Sequence, residues 1–115
     1  MMPRPAKKTR EAAEYRRLEA LFRPLPANER EFIDPLLRQA AFLCVTLEDL
    51  AEEISAEGAT DEYQNGANQF GKKASAALQA YNQTAKTYNT LMIKLRERLP
   101  AAERESALAA MMRDE

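Results

Sequence analysis

Two long apolar runs set the frame of this chain. Ile33, Leu36, Ala40, Leu43, Leu47, Leu50 and Ile54 step by three and four in alternation, and Ala74, Leu78, Tyr81, Ala85, Tyr88, Met92, Leu95 and Leu99 do the same. That period keeps each run on one stripe of an α-helix, whereas a strand needs a period of two. Leu37, Ala41, Cys44 and Ala51 widen the first stripe on one side, as a core-facing helix requires. Between the runs lies GATDEYQNGANQFG, residues 58–71, which holds all three glycines and centres on Asn65-Gly66, a strong turn signal. A connection that short returns the chain on itself. The predicted fold is all-α: a long antiparallel helical hairpin with short N- and C-terminal helices.

Local signals place the boundaries. Residues 1–8, with Pro3 and Pro5, read as a flexible basic arm. Thr9 is the expected N-cap of a first helix to Phe22, with Ala12, Tyr15, Leu18, Leu21 and Phe22 as its apolar stripe. Pro24 and Pro26 end it. Asn28 and Glu31 form a capping-box start for a second helix that runs to Glu57, with Gly58 as terminator and a kink or break near Asp34 caused by Pro35. A third helix is expected from Lys72 to Leu99, closed by Pro100, and a short last one from Ala101 to Met112 with Leu108, Met111 and Met112 on its apolar face. The expected divisions are a basic arm and first helix (1–25), a hairpin oligomerisation domain (26–100) and a C-terminal helix (101–115).

Charge supports the hairpin and restricts the chemistry. The second helix has acidic ends (Glu29, Glu31, Asp34; Glu52, Glu53, Glu57), and the third has basic ones (Lys72, Lys73; Lys94, Arg96, Arg98). An antiparallel pair sets acid against base at both ends, which selects the arrangement more than it stabilises it. With 17 basic and 18 acidic residues, the chain is not uniformly suited to a polyanion or a membrane. There is no histidine, which removes the usual general base and the commonest metal ligand. Cys44 is the only cysteine, so neither a disulfide framework nor a thiolate zinc site is expected, and a reducing compartment, the cytoplasm of a cell, fits. The longest strongly apolar stretch, Ala40 to Val45, is too short to span a bilayer, and the basic start has no apolar region behind it to make a secretory signal. The acidic cluster Glu48, Asp49, Glu52, Glu53 and Glu57 reads as a solvated face engaged in end-pairing, Cys44 as a small core residue, and Ser75 as no nucleophile. Neither a cofactor nor catalysis is expected.

Three surfaces stand out. Residues 1–25 carry seven basic against three acidic residues. Arg4, Lys7, Lys8, Arg10, Arg16 and Arg17 read either as phosphate contacts or as a solvated tail and helix face. Several copies clustered in an oligomer strengthen the first reading. On the third helix, Gln79, Asn82, Gln83, Lys86, Asn89 and Thr90 form a mostly uncharged polar stripe. It reads as a subunit interface or channel lining using amide hydrogen bonds, or as plain solvent face. Around the Asn-Gly turn, Tyr63, Asn68, Gln69 and Phe70 are more specific than a turn needs and could close the hairpin end or touch a neighbour.

The stretches AAFLCVTLEDLAEEI and EYQNGANQFGKKASAALQAYNQTAKTYNTLMIKL, with the following LP, resemble phage terminase small subunits of the compact prophage type. The likeness covers residues 26–100. Its most specific part is Tyr63, Asn65, Gly66, Asn68, Gln69, Gly71, Lys73 and Ser75, running into Tyr81, Asn82, Lys86 and Tyr88. It implies a non-catalytic DNA-packaging adaptor that assembles as a homo-oligomeric ring. Such an adaptor binds viral double-stranded DNA and hands it to a large terminase subunit, which carries the ATPase and nuclease. The hairpin would be the oligomerisation element. Many such proteins also carry an N-terminal helix-turn-helix, but residues 1–25 hold a single helix, which leaves the basic arm as the DNA contact. The last helix, around Leu108 to Met112, would dock on the large subunit. The alternative is a helical-hairpin scaffold or protein-interaction module without DNA binding.

Overall fold

The computed structural model describes residues 4–64, 70–101 and 109, and for residues 61–64 and 70–73 the backbone alone. The chain is mainly helical: α1 spans Lys7–Leu21, α2 Ala27–Glu57 and α3 Ala76–Arg96. Between α2 and α3, strands β1 (Thr60–Gln64) and β2 (Phe70–Ala74) pair antiparallel as a two-stranded ribbon.

Helix starts depart from the sequence reading wherever a tertiary contact or a proline outweighs a side-chain cap. α1 begins before Thr9; its N-cap is Ala6, without a side-chain hydrogen bond. Its first turn holds no acidic residue, an unfavourable charge pattern for a helix N-terminus. α2 likewise starts behind Pro26 rather than at Asn28. The Pro26 carbonyl accepts the first helical bond from Arg30 N–H at 3.0 Å, so Asn28 and Glu31 lie inside the helix and form no capping box. α2 then runs through Pro35 unbroken for 31 residues, so of the expected kink or break near Asp34 the break is overturned. The amide missing at Pro35 would have bonded the Glu31 carbonyl; both residues are exposed, so water can satisfy that oxygen. The helix stops where expected, at Gly58, whose φ of 92° and ψ of 166° suit only glycine.

The connection is longer and more regular than a turn. Cα partners run Thr60–Ala74, Asp61–Lys73, Glu62–Lys72, Tyr63–Gly71 and Gln64–Phe70. This pairing takes Lys72, Lys73 and Ala74 out of the expected third helix and sets two lysines opposite two acids across the ribbon. Asn65, Gly66, Asn68 and Gln69 lie outside the described residues. α3 therefore starts at Ser75, a true N-cap: its Oγ accepts the Leu78 N–H at 3.0 Å, and its own N–H donates to the Ala59 carbonyl at 2.9 Å. Beyond α3, helical backbone is described at Ala101 and Ala109, while Leu108, Met111 and Met112 of the expected last helix lie outside the described residues.

α2 and α3 run in opposite directions. Arg98 lies over the Phe32 ring at one end, Cys44 faces Tyr88 midway, and Ala59 bonds Ser75 at the ribbon end. α1 lies along α2. Leu18, Phe22, Leu25, Ile33, Leu37, Ala40, Ala41, Leu95 and Leu99 form the buried core, with Tyr15, Leu36, Tyr88, Leu91 and Met92 packed against it. The core gathers where all three helices meet. Toward the ribbon, Leu43, Leu47, Leu50, Ile54, Leu78, Tyr81 and Ala85 are only half-buried. The buried stripe of α2 is Ile33, Leu37, Ala40, Ala41 and Val45, not the full predicted seam. Leu37 and Ala41, an i, i+4 pair in one core with Leu18 and Phe22, follow α1, a third helix whose docking the seam alone does not encode. The molecule is a rod of 64 × 34 × 27 Å with a radius of gyration of 18.4 Å, against about 13 Å for a compact chain of this length.

Candidate nucleic-acid and assembly surfaces

The first surface is the cationic start of α1. The structure gives most of its charges partners within the chain. Arg10 donates to Asp49 at 2.8 Å and to Glu48 at 3.0 Å, and its side chain is only 14% exposed. Arg4 donates to the same Asp49 at 3.0 Å and also pairs with Glu52. Lys7 donates to Thr46 Oγ1 at 3.1 Å and lies 4.5 Å over the Phe42 ring. Hydrogen bonds from Arg10 hold the Asp49 carboxyl below the usual range, and those to Asp49 and Glu48 raise the Arg10 guanidinium. Arg17 is bidentate on Glu14 within α1. Lys8 and Arg16 are exposed and carry no ion pair among the described residues. The expected flexible arm is thus anchored from Arg4 onward. At the acidic end of α2, Glu52 pairs with Arg4, while the side chains of Lys72 and Lys73, its expected partners, lie outside the described residues.

The second surface is the outer face of α3. Gln79, Asn82, Gln83, Lys86, Asn89 and Thr90 are all exposed, and Ile93, 59% exposed, continues the same stripe. Some of its polar groups already bond within the helix: Gln79 Nε2 donates to the Ala74 carbonyl at 3.0 Å, and Thr90 Oγ1 to the Lys86 carbonyl at 3.0 Å. The amide groups of Asn82 and Asn89 have no such bond among the described residues. Beside this stripe, Gln39, Lys86, Thr87, Thr90, Leu91 and Lys94 line an open groove of about 350 Å³ between α2 and α3, with no carboxylate in its lining. Of the loop motif, Tyr63 lies on β1 opposite Gly71 on β2.

No family model, curated protein or solved structure matches this chain.

The sequence reading missed two clusters. Tyr15 donates its hydroxyl to Asp34, which also accepts from Arg38 Nε at 2.9 Å, and the Arg38 guanidinium stacks 4.2 Å over the Tyr15 ring. The bond to Asp34 is the main cause that pushes the Tyr15 phenol up to about 12 and lowers Asp34. The i, i+4 spacing of Asp34 and Arg38 was legible; the partner from α1 was not. Further along the α1–α2 contact, the Glu14 side chain is 12% exposed. Burial, then the charge of Glu14, pushes the Cys44 thiol up to about 12, and burial does the same to the neighbouring Tyr88 phenol. Cys44 is therefore a half-buried thiol that holds its proton more tightly than an exposed one. Among the described residues no group of three or more metal-ligating side chains could hold an ion, and no helix is long and apolar enough to cross a membrane.

Proposed function

We propose that this chain is a non-catalytic small terminase subunit, an oligomeric adaptor that binds viral double-stranded DNA and recruits the large terminase ATPase-nuclease in the cytoplasm of the infected cell. In this reading α2 and α3 are the helical hairpin that builds the ring. The observation that carries the assembly part is the outer face of α3. It is an exposed stripe of amides and hydroxyls ending in Ile93, where an ordinary solvent face would be richer in Glu and Lys. The half-buried seam near the ribbon supports the same conclusion, because a neighbouring subunit would complete its burial. The resemblance over residues 26–100 supplies the DNA-packaging role. DNA would be met first by Lys8 and Arg16, with Lys86 and Lys94 of the carboxylate-free groove as further contacts.

The pairing of Arg4, Arg10 and Arg17 with carboxylates favours a second reading, a scaffold without DNA binding. Two measurements separate them. Light scattering at micromolar concentration should report a mass several times the 13.0 kDa of the chain. Asn82→Arg with Asn89→Arg should reduce that mass toward the monomer by burying bulky, unpaired charges in the interface. A monomeric wild type rejects the ring. Binding of mixed-sequence double-stranded DNA at low salt, weakening steeply as salt rises, supports the adaptor over the scaffold; no binding at low salt supports the scaffold.

A further inference from the structure

The acidic strip of α2 occupies Arg4 and Arg10, two of the cations that the sequence offers as phosphate contacts. Glu48, Asp49 and Glu52 lie within two turns of one helix, and two arginines close on them from α1 and the residues before it. Asp49 is the hub: it accepts from Arg4 at 3.0 Å and from Arg10 at 2.8 Å, while Glu48 takes the second Arg10 nitrogen at 3.0 Å and Glu52 pairs with Arg4. The contact sits at the end of α1 that carries no side-chain cap and no acidic residue in its first turn. Arginine forks and an uncapped helix start are the two elements from which phosphate sites are commonly made. Here carboxylates of the same chain meet the forks.

We propose that Glu48, Asp49 and Glu52 act as an intramolecular stand-in for a phosphodiester backbone, so that DNA engages Arg4 and Arg10 only by displacing them. The inference rests on the nucleic-acid reading and adds its regulation. Lys8 and Arg16, exposed and unpaired among the described residues, make the first encounter. Arg4 and Arg10 then exchange carboxylates for phosphates. The exchange conserves the number of charge pairs, so it discriminates against weak or isolated anions: only a ligand presenting several phosphates at once replaces a strip whose carboxylates are already held in place. It also couples DNA binding to the hold of α1 on α2, because the same two arginines serve both.

The test uses the full-length chain and three variants. The first, Glu48→Gln/Asp49→Asn/Glu52→Gln, neutralises the strip. The second, Glu29→Gln/Glu31→Gln/Glu57→Gln, makes the same change in net charge at exposed acids outside it. The third adds Arg4→Ala and Arg10→Ala to the strip variant. Fluorescence anisotropy with a mixed-sequence DNA duplex at low salt reads affinity, and the rate of tryptic cleavage after Lys7, Lys8 or Arg10 reads the hold on α1. Circular dichroism checks the fold, and Asp49→Asn alone serves if the triple change unfolds the chain. The strip variant should bind about tenfold more tightly than wild type and be cleaved faster. The charge control should do neither, and the added arginine changes should remove the gain. Equal binding by wild type and strip variant, or an equal gain in the charge control, overturns the masking while leaving DNA binding in place. No binding by any variant overturns the nucleic-acid reading and this inference together.

Discussion

Leu95 and Leu47 occupy equivalent places in the two apolar runs, yet their surroundings differ. Leu95 is 1% exposed within the three-helix core, whereas Leu47 is half-buried outside that core. Leu95→Ala should therefore cost about 2–5 kcal/mol, and Leu47→Ala about 1 kcal/mol in proportion to the smaller area covered. Urea melts of the two variants should show this order; equal losses would mean that a partner buries Leu47. Tyr15 offers a second check at this scale. Its hydroxyl binds ionised Asp34, so Tyr15→Phe should cost about 1 kcal/mol near neutrality. The pH limits follow from the two groups. Asp34 has a lowered carboxyl, so its contribution is present above the ordinary carboxylate range and is lost as pH falls through the folded value. Tyr15 has a phenol pushed up to about 12, so its contribution is present below the ordinary phenol value and is lost as pH rises toward 12. The difference in melting temperature between wild type and Tyr15→Phe should be largest between these limits and shrink toward both.

At the scale of elements, two residues fix the ends of the ribbon connection. Ser75 caps α3, and Ser75→Ala should cost about 1 kcal/mol. Gly58 holds a backbone conformation closed to other residues with open space around its Cα, so Gly58→Ala should cost about 1–3 kcal/mol through strain alone. Thermal melts check both, and a neutral Gly58→Ala would mean the connection can rearrange. These elements also mark what the sequence could convey. The 3–4 periodicity, Gly58 and the proline-bounded turn at 22–26 are local signals, and they located α2, its end and the bulk of α3. What was lost depends on neighbours distant in sequence. Ser75 lay in an expected helix because the Thr60–Ala74 pairing that ends at it is non-local. Val45 is 1% exposed although it falls off the predicted seam. For the candidate site the reason is similar: Arg4 and Arg10 are cations in any reading, but that they meet carboxylates some 40 positions away is decided by packing. The α3 stripe was legible because exposure of a polar helical face is a periodic property.

For the whole molecule, the rod carries its buried core at the end where the α1–α2 turn meets the close of α3, while the ribbon end holds half-buried side chains between two helices. Backbone amides should reflect this in their exchange with deuterium. Protection should be greatest around Leu37 to Ala41 and Met92 to Leu95, and fall along α2 and α3 toward Ile54 and Leu78, because the thin end can open without disrupting the core. Uniform protection along both helices would show that the rod opens as one unit. A rod with graded protection behaves as a lever clamped at one end. A partner that grips α2 and α3 near Ile54 and Leu78 must offset the free energy of holding that end closed, so its affinity can be tuned by substitutions there that leave the melting of the clamped end unchanged.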